Sequence, residues 1–313
     1  MIPYIVAYLA IAVFLIAVLA RVTMWLKMPM HVRWELYPVA HEAKRAHYGG
    51  SYLEESEWWK KKREVSLFGE LKVMIPEILF LVAVKEHNSK LWSRTFPFHF
   101  GLYMVIGCTV LMMLSGVLNA FAPAVMAGWL GSTLVTLTQI TGWAGLCLGI
   151  IGALGLLHRR LTDPALKDFT APADLFNLVF FIVAFGCALL TAILVDSDFA
   201  VITGFVTGLV SFTPTAIPGA GLAAMLPLLT VILLSLLVVY IPLTHMSHFI
   251  GKYFAYHAIR WNDTPNLAGG PEEAKIGQVL NQKVTWAADH IKGEGKKSWG
   301  DLATESFKKE PKK

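Results

Sequence analysis

Two histidines set the chemical question in this 313-residue chain. His248 closes the stretch Pro242-Leu243-Thr244-His245-Met246-Ser247-His248, at the end of a long apolar run that begins near Gly221. His99 stands far back, in Phe96-Pro97-Phe98-His99-Phe100-Gly101, where another apolar run begins. An ionisable ring one turn inside the end of a membrane helix is costly unless it serves a purpose. Two neutral imidazoles facing each other across a helix bundle are what bis-histidine ligation of a heme iron requires. The other nitrogen of each ring then needs an acceptor. The same placement also suits a plain interfacial anchor, and spacing alone does not choose between the two. Covalent heme attachment is excluded, because the sequence has no CxxC and hence no CxxCH. Cys108, Cys147 and Cys187 sit in separate apolar runs, as packed thiols would.

The elements that must position these rings are membrane spans. Hydrophobic residues make up 55% of the chain and charged ones only 16%, with a mean hydropathy of +0.55. An ordinary soluble domain carries about 25% charged residues. A span needs roughly 20 mainly apolar residues, and five stretches qualify: about 3–22, 98–121, 137–157, 174–195 and 222–249. The expected fold is therefore all-α, an integral membrane five-helix bundle. A sixth stretch, Val73 to Val84, is too short to span and contains Pro76 and Glu77; it fits an interfacial or re-entrant helix. Met1-Ile2-Pro3-Tyr4 lacks the basic start of a cleaved signal peptide, so the first span is expected to be retained. The chain divides into a first span (1–27), an insertion (28–95), a four-span bundle (96–250) and a tail (251–313).

Basic residues orient the spans. Twelve Lys and Arg fall between Lys27 and Arg94, three in the 158–173 connection and eleven after residue 250, with Arg21 closing the first span. None lies between the second and third spans or between the fourth and fifth, where Asp196 and Asp198 are the charged residues. Five spans put every basic residue on one side, which predicts an external N-terminus and a cytoplasmic C-terminus in the cell's inner membrane. The same topology places His99 and His248 at one depth. The insertion is long for a connection and carries Trp34-Glu35-Leu36-Tyr37-Pro38 and the Trp58-Trp59 pair beside Lys60, Lys61, Lys62 and Arg63. Rings beside cations suit the lipid headgroup zone, and they suit docking of a soluble partner as well. The tail is rich in Lys, with short amphipathic helices expected around 271–293 and disorder over its last dozen residues. Gly142, Gly145, Gly149, Gly152 and Gly155 line one face of the third span, open to close helix packing or to a porphyrin edge. Gly101 and Gly107 pose the same choice on the second span.

The chain resembles the gamma subunit of respiratory nitrate reductase and the related cytochrome b subunits of heterodisulfide reductase and of sulfate-reducer transmembrane redox complexes. The matching residues are Ile2-Pro3-Tyr4-Ile5, Phe98-His99-Phe100-Gly101, Leu156-Leu157-His158-Arg159-Arg160-Leu161-Thr162-Asp163-Pro164 with Ala173-Asp174-Leu175, and the closing Pro242 to His248 stretch. The resemblance implies two hemes stacked across the membrane on four histidines of the second and fifth spans. His99 and His248 match the pair that holds the cytoplasmic-side heme. The other pair falls ten residues after His99 and eighteen before His248, where this chain has Thr109 and Thr230. Threonine does not ligate heme iron, so one heme b is expected, with side chains or lipid filling the outer position and each threonine bonding back to its own helix. The long insertion is closer in style to the sulfate-reducer complexes, which implies an iron–sulfur, heterodisulfide-reductase-like partner on the cytoplasmic side and, beyond it, a multiheme cytochrome c and further membrane subunits.

In this reading Arg94, Arg159, Arg160 and Lys252 are placed to pair with heme propionates. His245, three residues before His248 and expected on its face, serves a propionate, a quinone or a second iron. His158 is an interfacial residue or a ligand of a second inner heme. His31, His41, His47, His87, His257 and His290 default to solvated or interfacial roles. The function expected is electron transfer between a membrane quinone and the iron–sulfur partner, with a heme-free membrane anchor as the alternative. No nucleophile, catalytic carboxylate pair or phosphate-binding glycine loop points to independent chemistry or to nucleic acid.

Overall fold

The computed structural model describes residues 1–28, 39–288 and 291–305. His31, the Trp34 to Pro38 stretch, His290 and the basic C-terminal end lie outside the described residues. The fold class is all-α. Among the described residues, paired strands are confined to Ala287–Ala288 against Ile291–Lys292, antiparallel, with Ala287 opposite Lys292. Five helices are long and apolar enough to cross a membrane: Ile2–Lys27, Ser89–Phe121, Trp129–Thr162, Pro172–Leu194 and Leu222–Leu243.

Boundaries differ from the sequence reading where local caps decide them. The second helix begins at Ser89, because the Asn88 side chain accepts a hydrogen bond from Leu91 N at 3.0 Å. His99 therefore lies about three turns inside a helix roughly 50 Å long, not at its start. The fifth helix ends at Leu243, short of the expected 249. Pro242 withholds an N–H from its last turn, and Thr244 takes extended dihedrals, φ −113° and ψ −176°. His245–Ser247 form a 3-10 turn, and His248 opens a new helix, His248–Phe254. The Val73–Val84 stretch is not one element either. A helix over Leu67–Phe80 stops at Leu81, whose φ of 52° is left-handed, and Val82–His87 starts again.

The chain forms two compact units, one of residues 1–18 and 74–246, the other of 19–73 and 247–313. In the first, the second and third helices pack along their glycines. A Cβ on Gly101 would stand 2.3 Å from Gly149 N, and one on Gly152 would stand 2.2 Å from Phe98 N. Gly149 also receives the Phe185 ring and Gly142 the Phe199 ring. The glycine face is thus filled by backbone and aromatic rings, which settles it as helix packing rather than a porphyrin groove. Gly107 meets nothing within 4 Å and takes no part. Between the fourth and fifth spans the sequence reading identified no further element. The structure instead has a helix, Ala200–Val210, with both oxygens of buried Asp196 accepting from Val201 N (2.8 Å) and Ile202 N (3.0 Å). Tyr4 packs on Phe205 of this helix at 4.4 Å, and the Tyr8 hydroxyl donates to Leu209 O at 2.7 Å.

In the second unit the end of the first helix packs on His248–Phe254. The Trp25 ring covers Gly251 so closely that a Cβ there would stand 2.2 Å from it. The helix widens to π over Ala255–Arg260, and His257 stacks on Trp261 at 5.4 Å. Insertion and tail, separate segments in the sequence, contribute to this one unit. The tail continues with one amphipathic-length helix, Pro271–Leu280, followed by the short ladder.

Candidate functional site

His99 sits in the first half of the second helix, half-buried. Its Nδ1 lies 2.8 Å from Thr95 O and 3.1 Å from Thr95 Oγ1. A carbonyl can only accept, so Nδ1 carries a proton, and the neutral form of the ring then has its lone pair on Nε2. That is the tautomer and the outer-partner arrangement a heme-ligating histidine needs. The residues around His99 therefore fit the group. Edge-on contact with Phe98, at 5.4 Å, further limits the ring's rotation.

His248 is exposed at the head of its short helix, in the second unit, and His245 is exposed in the first. Neither lies on the fifth helix, where the sequence reading expected both: extended Thr244 ends that helix before them, and a 3-10 turn over His245–Ser247 leads to His248. His245 is tied elsewhere. Tyr240 donates to Asn177 Oδ1 at 2.6 Å, which leaves the Asn177 amide nitrogen to donate to His245 Nε2 at 3.1 Å. Asp174 Oδ1 stands 4.0 Å from the same nitrogen. A ring nitrogen accepting a hydrogen bond is not at the same time an iron ligand.

The cations expected near propionates have partners of their own. Arg159 pairs with Asp163 at 3.4 Å and Arg160 with Asp174 at 3.7 Å, so the His158 to Pro164 motif brackets the turn into the fourth helix. Asp163 and Asp174 also cap that turn, accepting from Ala165 N and Ala171 N. His158 is exposed at the end of the third helix. Arg94 bonds Lys90 O at 3.0 Å and lays its stem over Gly155. Lys252, in the second unit, lies over the Tyr256 ring at 5.9 Å.

At the position where the resemblance implies a second heme, Thr109 bonds back to Val105 O at 2.9 Å, as expected. Thr230 does not bond to its own helix. It reaches the fourth helix, 2.7 Å from Thr191 Oγ1. Side chains also fail to fill the space. A cavity of about 220 Å³ lies between these threonines, walled by apolar residues such as Met112, Leu146, Phe205 and Val231, and no histidine lines it.

The sequence reading missed a second polar centre. His41 and, in part, His257 are not solvated, contrary to expectation. His41 is 5% exposed and lies 2.9 Å from Asp263 Oδ2, 222 residues on. Glu42 is 0% exposed, its oxygens accepting from Ser51 Oγ and Tyr52 N, both at 2.9 Å. Burial alone would push Asp263 up, but its hydrogen bond to His41 and the charges of His41 and Arg63 outweigh this and hold it below the usual carboxylate range. Burial beside Asp263 pushes the Tyr52 phenol up to about 12, and burial lowers His257 against the opposing pull of Glu70. The signal available in the sequence was weak: adjacent His41-Glu42 and an isolated Asp263, with nothing to connect them. Trp58 and Trp59 line a cleft of the same unit with Asn262, Pro265 and Ile276.

Comparison of the chain with protein-family models, with curated proteins and with solved structures returns no match.

Proposed function

We propose that this chain is a membrane subunit of a redox complex that holds one heme b and passes electrons between a membrane quinone and an iron–sulfur partner on the cytoplasmic side. The observation that supports the reading is the hydrogen bond from His99 Nδ1 to the Thr95 carbonyl, which orients the ring and leaves its lone pair on Nε2. His248 is the second axial ligand in this proposal, chosen on the sequence resemblance. The heme supplies reversible one-electron chemistry, and its potential is set by its ligands and surroundings. His99, held by Thr95, supplies a pre-oriented neutral imidazole. In this reading Arg94 and Lys252 are the cations that compensate propionate charge, whereas Arg159 and Arg160 already face Asp163 and Asp174 and contribute less. The bundle's glycine-tight packing excludes water from the electron path. The N-terminus is external and the C-terminus cytoplasmic in this proposal.

The test is a reduced-minus-oxidised optical spectrum of the purified chain with pyridine hemochrome quantification. A low-spin b-type spectrum at about one heme per chain is expected, lost in His99→Ala and in His248→Ala because iron loses an axial ligand. A colourless wild-type chain would leave the heme-free anchor standing. A ratio near two would direct attention to His158, and to His245 released from Asn177, as ligands. A reporter fused after Lys313 should be cytoplasmic and one in the 119–136 loop external.

A further inference from the structure

His41, Glu42 and Asp263 are three metal-competent side chains, all buried, whose ligand atoms lie within 4.8 Å of one another. All three belong to the second unit. We propose that they form a site for one divalent transition ion of the zinc class, which ties the chain around residue 41 to the chain around residue 263.

Three observations carry the proposal. Each ligand is oriented by an outer partner, the arrangement that metal sites use to fix their ligands. His41 turns Nε2 toward Asp263 and Nδ1 toward Glu70 Oε1, 3.8 Å away, a carboxylate–histidine pair poised behind the metal position. Glu42 is held by Ser51 and Tyr52, and Asp263 by Arg63 through Oδ1 and by the Tyr52 hydroxyl, which donates to its backbone carbonyl at 2.7 Å. The second observation is an incomplete set of hydrogen bonds. Among the described residues, buried His257 Nδ1, on the ring that faces Glu70, has no hydrogen-bond partner, and Asp263 Oδ1, on a side chain with 0% exposure, has only the Arg63 ion pair. Native structures leave few such atoms, and an ion is one thing that completes them.

Charge is the third. Among the described residues, Glu42, Glu70 and Asp263 bring three negative charges and Arg63 one positive. The cluster therefore gathers more carboxylates than its one arginine balances, and buried unpaired carboxylates are expensive. A divalent cation bound among them offsets that excess. The donor set, one imidazole nitrogen and carboxylate oxygens without sulfur, selects against soft thiolate-seeking ions and against calcium, which takes an all-oxygen shell. A tetrahedral ion with bonds of about 2.0–2.2 Å requires its ligand atoms to stand roughly 3.3 Å apart. Side-chain movements of roughly an ångström bring this cluster to that spacing.

The experiment uses the full chain, purified in detergent without a polyhistidine tag, stripped with a chelator, incubated with zinc chloride and desalted. Metal per chain is read by mass spectrometry and heme by the optical spectrum of the same samples. The wild type should retain about one zinc per chain and no calcium. His41→Gln and Asp263→Asn should weaken retention at least tenfold. Glu70→Gln, which removes only an outer partner, should cost about tenfold. His245→Gln and His248→Gln should retain zinc normally, so that loss of heme and loss of zinc separate. X-ray absorption at the zinc edge should show nitrogen and oxygen neighbours with an imidazole signature. Should the His41 or Asp263 variants fail to fold, the wild type still decides the matter: zinc must slow proteolysis after residue 39 and around residue 263. A wild type that retains no zinc overturns the proposal. So do unchanged retention in folded His41→Gln and Asp263→Asn, sulfur in the zinc shell, or protection by calcium equal to that by zinc.

Discussion

In the span-bearing unit the buried polar groups are mainly hydroxyls, and several bond to their own helix. Thr138 donates to Leu134 O at 2.8 Å and Thr191 to Cys187 O at 2.9 Å. The other unit buries an imidazole and two carboxylates, and His41 reaches its partner Asp263 only across 222 residues of sequence. A hydroxyl satisfied by its own helix constrains little beyond that helix. The spans therefore owe their specificity to shape, above all to backbone contact at glycine. A buried charge is satisfied only once distant segments have met, so the second unit owes its specificity to electrostatics. One unit should be sensitive to added volume and the other to lost charge.

The largest effect should come from volume in the first unit. Gly152→Leu would drive a side chain into Phe98, where even a Cβ stands 2.2 Å from the backbone nitrogen. A loss of about 3 kcal/mol is expected. Gly107→Ala, on the same partner helix but with nothing within 4 Å, should stay within about 0.5 kcal/mol. Thermal unfolding of the chain in detergent measures both, and equal effects would break the argument from shape.

Charge in the second unit comes next. Glu42→Leu preserves bulk but leaves Ser51 Oγ and Tyr52 N without their acceptor, at a cost of about 2 kcal/mol. Limited proteolysis should find the cost near residues 39–70, with the unfolding of the spans unchanged. Asp196→Ala sharpens the comparison by removing the first unit's own buried carboxylate. Two amides at the start of Ala200–Val210 lose their acceptor, worth about 1 kcal/mol, and amide exchange at Val201 and Ile202 should accelerate.

The smallest effect is set by pH at the surface of the second unit. Lys61 donates to Glu55, and with Arg45 alongside it holds this carboxyl below its ordinary value of 4.5. A depressed folded pKa means the stabilisation is complete above 4.5 and is lost as pH falls through the lower folded value. Exposure to solvent and salt keeps it slight. Protection of the 52–63 segment from proteolysis should fall modestly below pH 4.5 and also in high salt at neutral pH. A fall with pH but none with salt would rule out ion pairing as its source.

Much of the span architecture could be read directly. All five membrane-length helices correspond to apolar stretches in the sequence, because the hydrocarbon core imposes a length and a composition that a sequence displays openly. The chemistry at Thr109 was legible for a similar reason, since its bond to Val105 O lies within four residues. Thr230 was misread because its partner, Thr191, is on another helix. The Ala200–Val210 helix passed unnoticed because it is too short to span, although Asp196 marked its start.

What the sequence determined by itself is what depends on neighbours along the chain: the number of apolar helices, the connections in which Lys and Arg gather, and the placing of His99 where its ring can reach back to Thr95. Tertiary structure alone decided whether the glycine face met a helix or lay open, because packing depends on which helix arrives and at what distance. It also ended the fifth helix before both His245 and His248, through a backbone break at Thr244 that side-chain spacing does not reveal. And it alone gathered His41, Glu42 and Asp263. Charges remote in sequence carry no mark of one another until folding removes the water between them, and only then does each become the other's principal electrostatic partner.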